Sequence, residues 1–224
     1  MKNKEAQTHS RYSSAITYCI LDPKITEQDT ITACQQAKDK QIQSVTVKPC
    51  YLRQTVTTFR GSGLSIGTVI GFPHGSSTTY VKMAETKRAL MEGAHELSVI
   101  IHPGYLNEKC EEILFKDLET VSGLGHMNGV KVNAILNITD IPNEIFQIAI
   151  QVANRASLDR IIFSLNQDWD DEVIDSVLSI SSATPVSNSF HKGVMGTIST
   201  IDTIQILVNA GFNQVFLTQF KELF

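Results

Sequence analysis

Short apolar and β-branched runs alternate with longer segments of helical periodicity along almost the whole chain. The short runs are rich in Val, Ile, Leu and Thr and are bounded by polar residues, glycine or proline, which is the pattern of buried β-strands. We predict strands over 15–21, 43–48, 65–71, 96–102, 130–136, 160–165, 185–190 and 214–218.

The segments between these runs place their apolar residues on one helical face. Thr26 and Thr200 are suitable N-caps, and Gly93 and Gly211 are suitable helix stops, because glycine readily adopts the left-handed conformation. We predict helices over 26–40, 79–94, 106–125, 140–156, 168–180 and 200–211.

Strict alternation of strands and helical crossovers predicts parallel strands. Eight such units within about 210 residues suit a small (β/α)₈ barrel. A doubly wound open sheet is the alternative, but the turn 21–24 after the first strand contains no glycine and cannot cradle a dinucleotide. We therefore predict an α/β protein with one (β/α)₈ TIM-barrel domain over 14–224, a polar, disordered segment over 1–13, and no cofactor.

Composition narrows the range of partners. The 224 residues are 42% hydrophobic and 19% charged, with a formal net charge of −4, which is typical of a soluble globular protein. This charge offers no basic surface for nucleic acid or an anionic membrane, and no apolar run approaches the roughly 18 residues of a membrane span. The four cysteines form no CxxC pair. We therefore expect a cytoplasmic protein that binds neither nucleic acid nor membrane.

Candidate functional residues follow from the barrel, because such barrels carry their active sites at the C-terminal ends of the strands. The predicted strand ends are polar but contain few acids, and their histidines fall on different loops, so we expect no metal site. A small molecule or anion at this barrel mouth would meet the following candidate ligands: Lys48, His74, Lys131, Ser164, Asn166 and Lys192.

One segment carries a specific family resemblance. The sequence 65-SIGTVIGFPHGSSTTYVKMAETKRALMEGAHEL-97 closely resembles the third βα unit of deoxyribose-phosphate aldolases, with its V-I-G-F-P-x-G loop, its K-x-x-E helix and its G-A-x-E entry into the fourth strand. Weaker similarity extends over roughly residues 15–220 in the same order. The resemblance implies a (β/α)₈ barrel related to class I aldolases, in which a lysine forms a Schiff base with the substrate.

The residues that the resemblance assigns to this chemistry are replaced. Ile162 stands where the family has the imine-forming lysine, and Ser98 and Thr17 stand where it has acid–base aspartates. The family's second lysine corresponds to Gly193 in a gapless alignment, or to Ser189 with a short insertion.

Further family positions give a mixed result. Lys131 retains a helper lysine at the start of the fifth strand. The phosphate-binding glycine of strand six is Asn166, and the G-T-S of strand eight is 216-FLT-218. Because the strand and helix patterns stay intact, the sequence indicates a retained fold and a lost reaction.

Three functional hypotheses remain open. The first is a pseudoenzyme with a binding, interaction or regulatory role. The second is a lyase with relocated chemistry on a small carbonyl or sugar-phosphate substrate, for which Lys48 is the best candidate nucleophile. The third is a shifted alignment register and a residual deoxyribose-phosphate aldolase activity.

The C-terminal residues bear on assembly. The segment 219-QFKELF-224 follows the last predicted strand and is too short for a full eighth helix. We therefore predict a truncated C-terminal helix that leaves apolar surface for a partner copy. Together with the family resemblance, this feature predicts a homodimer or another homo-oligomer.

Overall fold

Eight parallel strands close into a barrel in sequential order in a computed structural model, which describes residues 12–139, 141–168, 171–182, 190–198 and 200–219. The strands are β1 Ile16–Ile20, β2 Ser44–Val47, β3 Ser65–Ile70, β4 Glu96–Ile100, β5 Lys131–Asn137, β6 Arg160–Asp168, β7 His191–Thr197 and β8 Gln214–Leu217. The predicted (β/α)₈ barrel is therefore confirmed.

Helices connect each strand to the next around the outside of the barrel. They are α1 Glu27–Asp39, α2 Leu52–Thr58, α3 Thr79–Met91, α4 Pro103–Asn107, α5 Glu111–Met127, α6 Asn143–Arg155, α7 Asp171–Ser182 and α8 Ile201–Asn209. Short 3₁₀ turns lie at Ser13–Ala15 and Pro49–Tyr51. Within the described residues, no helix has the length and apolar character needed to cross a membrane.

Local sequence signals account for several helix ends. The Thr26 hydroxyl accepts a hydrogen bond from the Asp29 backbone N–H at 3.2 Å, and the Asp29 carboxylate accepts one in return from the Thr26 N–H at 3.2 Å. This reciprocal capping box begins α1. Thr200 caps α8 through the N–H of Thr203, and Gly93 and Gly211 follow their helices with φ of 88° and 92°.

The seventh strand differs from its prediction. It spans His191–Thr197 rather than 185–190, and residues 185–189 lie outside the described part of the chain. Its two glycines, Gly193 and Gly196, give it a weak strand propensity that concealed it in the sequence. Backbone pairing with β6 and β8 defines this strand, and Gly193 lies beside Ile162 in the register.

The predicted helix 106–125 is also different, because two helices occupy this region. His102 begins α4 by accepting a hydrogen bond from the Tyr105 N–H at 3.2 Å. Lys109 then adopts a positive φ of 56°, which no regular helix contains, and α5 begins at Glu111. The break turns the chain from the barrel rim onto the outer face of the sheet.

The two ends of the chain are described only in part. Tyr12 and Ser13, which fall within the predicted N-terminal segment 1–13, are buried against the barrel. The rest of that segment, residues 1–11, lies outside the described residues, as do residues 220–224 of the predicted C-terminal helix.

Candidate functional site in the barrel

An apolar layer fills the middle of the barrel. Side chains alternate between the two faces of a strand, so every second residue points toward the barrel axis. One inward side chain from each strand except β2 joins a separate buried cluster, comprising Cys19, Val69, Ile100, Ile135, Ile162, Met195 and Phe216. The other large cluster packs between the sheet and the helices.

Ile162 occupies the position on which Schiff-base chemistry would depend. It sits on β6 between Ile135 of β5 and Gly193 of β7, and its exposed fraction is 0%. The family resemblance assigns a Schiff-base lysine to this position. In this chain an aliphatic side chain packs there against other apolar groups.

Gly193, which the gapless alignment places at the family's second lysine, has close neighbours. A Cβ atom at this position would lie 3.0 Å from Cδ of Arg160 and 3.2 Å from Cε2 of Phe216. The Arg160 guanidinium lies 5.8 Å from the centre of the Phe216 ring. These two large side chains occupy the space beside Gly193.

Neutral amides satisfy the hydroxyl groups at the two aspartate positions. Gln214 donates from Nε2 to Oγ1 of Thr17 at 2.8 Å, and Asn133 donates from Nδ2 to Oγ of Ser98 at 3.3 Å. Thr17 and Ser98 are both buried, with exposed fractions of 0% and 2%. Neither hydroxyl can replace a carboxylate as a proton acceptor near neutral pH.

A charged network lies on the N-terminal side of the apolar layer. Arg160 donates from Nη1 to Oε1 of Glu96 at 2.9 Å and to Oδ1 of Asn133 at 3.1 Å, and Asn133 donates to the same Glu96 oxygen at 2.8 Å. Arg160 was not among the predicted site residues. The sequence contained one indication of its role: Arg160 and Ile162 are two residues apart on β6, so both side chains point toward the barrel interior.

Lys48 lies at the barrel mouth, directly after β2. Its Nζ donates to the backbone oxygens of Asp22 at 3.1 Å and Pro23 at 3.0 Å, both in the loop after β1. The contacts therefore hold the loop after β1 against the end of β2.

We expect Lys48→Met to lower the free energy of unfolding by about 1–2 kcal/mol, because it removes two partly exposed hydrogen bonds to a charged group. Urea denaturation would measure the change. Lys87→Met, at an exposed position on α3, is the matched control and should change stability by less than about 0.5 kcal/mol. An equal effect of both substitutions would show that the Lys48 contacts contribute nothing specific.

The motif that carries the family resemblance shapes the loop after β3. Glu85 accepts a hydrogen bond from the Gly71 N–H at 2.7 Å. Lys82 is fully buried, donates to the Ile100 carbonyl at 3.1 Å and forms an ion pair with Asp117 of α5. A Cβ at Gly71, whose φ is 70°, would lie 2.9 Å from Cε of Lys82. These residues therefore have structural roles, and His74 lies exposed on the loop that they support.

The six ligand candidates do not lie together. Lys48, His74 and Ser164 are on the mouth side of the barrel, whereas Lys131 is the first residue of β5 at the opposite end. Lys192 is near the start of β7, not at its end, because the strand begins later than predicted. The side chain of Asn166 lies outside the described part of the structure.

Lys192 also points away from the barrel axis, since the inward residues of β7 are Gly193 and Met195. Its Nζ lies 5.8 Å from the centre of the Phe212 ring, and partial burial lowers the pKa of this amine. Across the described ranges, no three His, Cys, Asp or Glu side chains are grouped as metal ligands.

The closed ring of eight parallel strands defines the class of protein, a (β/α)₈ barrel. Its fold matches that of the deoxyribose phosphate aldolase from Aeropyrum pernix, a structure described as tetrameric, with a TM-score of 0.81 and 20% identity. The match covers 97% of this chain and 94% of that one. No protein-family profile matches the chain.

Sequence relatives identify the family. The chain is 32% identical over 204 residues to the deoxyribose-phosphate aldolase of Staphylococcus haemolyticus, covering 91% of both chains. It is 26% identical over 200 residues to the enzyme of the same name from Desulfitobacterium hafniense, covering 89% of this chain and 91% of the relative. The chain belongs to the deoxyribose-phosphate aldolase family.

Proposed function

We propose that this family member has lost Schiff-base aldolase activity and uses its barrel in binding, interaction or regulation. The observation that carries the proposal is Ile162, which is fully buried in the apolar layer at the position that the family resemblance assigns to the imine-forming lysine. An imine requires a primary amine that attacks a carbonyl carbon, and an isoleucine side chain has no such group.

The surroundings of Ile162 support the same proposal. The proton-transfer positions carry Ser98 and Thr17, whose hydroxyls are bonded to neutral amides. The carboxylate of Glu96 is held by Arg160 and Asn133 at the first residue of β4. Lost nucleophile and lost acid–base groups therefore occur together.

The relocated-lysine hypothesis is less well supported. At the barrel mouth, Nζ of Lys48 donates to two backbone carbonyls. A nucleophilic amine must be deprotonated and must direct its lone pair at the substrate. In this structure the Lys48 amine is instead engaged by the loop after β1, so attack would require the loop to release it.

We expect no measurable cleavage of 2-deoxyribose 5-phosphate into glyceraldehyde 3-phosphate and acetaldehyde. Loss of a covalent nucleophile together with its proton-transfer partners typically lowers kcat by several powers of ten. A coupled assay for glyceraldehyde 3-phosphate would test this, with the Staphylococcus haemolyticus relative as the positive control. Turnover near or above roughly 1 s⁻¹, within the usual range of enzymes, would overturn the proposal and support a residual aldolase.

Borohydride trapping separates the proposal from the relocated-lysine alternative. The protein is incubated with acetaldehyde and borohydride, and the labelled lysines are then mapped by peptide mass spectrometry. Slow, diffuse labelling of exposed lysines agrees with a lost reaction. Fast stoichiometric labelling at Lys48, Lys131 or Lys192 that disappears in the matching Lys→Met variant would establish a relocated nucleophile.

The same proposal places a small molecule or anion at the barrel mouth, near Lys48, His74 and Ser164. Homo-oligomerisation also stays a prediction. It rests partly on the C-terminal tail, whose residues 220–224 lie outside the described part of the chain.

A further inference from the structure

A polar cleft of about 430 Å³ opens at the N-terminal end of the barrel, opposite the mouth. Glu96, Lys131, Arg160 and Gln214 approach it from the first residues of four strands, and Ser44 and His95 complete much of its wall. The apolar layer that contains Ile162 separates this cleft from the mouth. The cleft is therefore a different place from the site discussed above.

The cleft carries one uncompensated positive charge. Glu96 and Arg160 neutralise each other through a 2.9 Å ion pair. Lys131 lies opposite Glu96 in the β4–β5 register, but within the described ranges its Nζ forms no ion pair or hydrogen bond. Its ammonium group is exposed at the edge of the cleft.

Two polar atoms beside the cleft also lack partners. Nε of Arg160 and Oγ of Ser44 are buried, and neither has a hydrogen-bond partner among the described residues. Leaving such a group unpaired in a protein destabilises the folded state. A ligand oxygen that enters the cleft can pair with these groups after a small side-chain movement, and this pairing would favour binding.

These groups specify the chemistry of the ligand. Guanidinium and ammonium groups bind carboxylates through charge-assisted hydrogen bonds. A single net positive charge is balanced by a monoanion, whereas a phosphate group carries a charge of roughly −1.5 to −2. Ser44 and Gln214 can exchange hydrogen bonds with hydroxyl groups.

We propose that this cleft is a binding site for a small, hydroxylated monocarboxylate. The site lies on the opposite side of the apolar layer from the mouth, so the proposal does not depend on whether the chain retains aldolase activity.

Isothermal titration with D-glycerate, glycerol and inorganic phosphate tests the site in the full chain. D-Glycerate should bind, and glycerol, which lacks the carboxylate, should not. Phosphate should bind more weakly than D-glycerate. Tighter binding of phosphate than of D-glycerate would overturn the proposal, and so would the absence of D-glycerate binding at about 10 mM ligand, which corresponds to a Kd well above the millimolar range.

Variants locate the binding. Lys131→Met should weaken D-glycerate binding by about tenfold or more, and Lys131→Arg should retain most of it. Lys116→Met, at an exposed position on α5, removes the same charge elsewhere and should leave binding unchanged. Because Lys131 is exposed, its variants should fold normally, and unfolding curves would verify this. Equal binding by Lys131→Met and the wild-type protein would overturn the assignment.

Discussion

Lys82→Met is expected to lower the free energy of unfolding by about 3–5 kcal/mol, because it leaves the Asp117 carboxylate as an unpaired charge in the protein interior. Lys82 is 0% exposed and Asp117 only 4% exposed, so water cannot replace the lost partner without a structural change. The substitution also removes the hydrogen bond to the Ile100 carbonyl. Guanidinium or urea denaturation at neutral pH would measure the loss.

A second variant separates the unpaired charge from a simple packing defect. In Lys82→Met/Asp117→Leu both charges are absent, and apolar replacement of a buried ion pair is often neutral or stabilising. The double variant should therefore recover most of the lost stability. Lys87→Met on the same helix serves as the exposed control. If the single and double variants are equally unstable, the ion pair is not the cause.

Ile162→Lys is expected to destabilise the protein by roughly 4–5 kcal/mol near neutral pH. Burial of an unpaired amine lowers its pKa by about 3–5 units, and at about pH 7 the unfolded lysine, with a pKa of about 10.4, limits the cost to about 1.4 kcal/mol for each of the roughly 3.4 pH units below that value. The unfolded state then binds more protons than the folded state between the lowered pKa and the ordinary lysine pKa. Stability relative to the wild-type protein should consequently rise with pH in this interval, by up to about 1.4 kcal/mol per pH unit.

Denaturation at several pH values would reveal this dependence. Ile162→Met retains an apolar side chain of similar volume, so it should cost less than about 1.5 kcal/mol and show no added pH dependence. A pH-independent loss in Ile162→Lys would mean that its amine reaches water or a polar partner. The apolar layer would then be open to solvent at this level of the barrel.

Much of the fold is predictable because each strand and helix has its own local signal. The alternation of short apolar runs with capped helices correctly predicted the closed barrel. Thr26 and Thr200 both cap helices as expected. The seventh strand was misplaced because Gly193 and Gly196 weaken its local propensity, and pairing with neighbouring strands decides its position. The break at Lys109 depends on a backbone conformation that residue type alone does not specify.

The candidate site was less predictable, because it depends on contacts between distant parts of the chain. Arg160 and Glu96 are 64 positions apart, and only the strand register brings them together. Lys131 was predicted among the ligands at the mouth, but it is the first residue of β5 and therefore lies at the opposite, N-terminal end of the parallel barrel. The sequence does not show that Lys131 borders the cleft, because the cleft is formed by side chains from several neighbouring strands.

The loop after β3 has a consequence for how family membership is interpreted. Gly71, Lys82 and Glu85 support one another through a close backbone approach, a buried ion pair and a hydrogen bond to the backbone. A substitution at any of them would impair folding whether or not the barrel performs a reaction. Selection for a folded chain is by itself sufficient to retain this segment, with no selection for turnover. Similarity in this segment therefore indicates a shared fold. A reaction must be assigned from the residues that line the barrel axis.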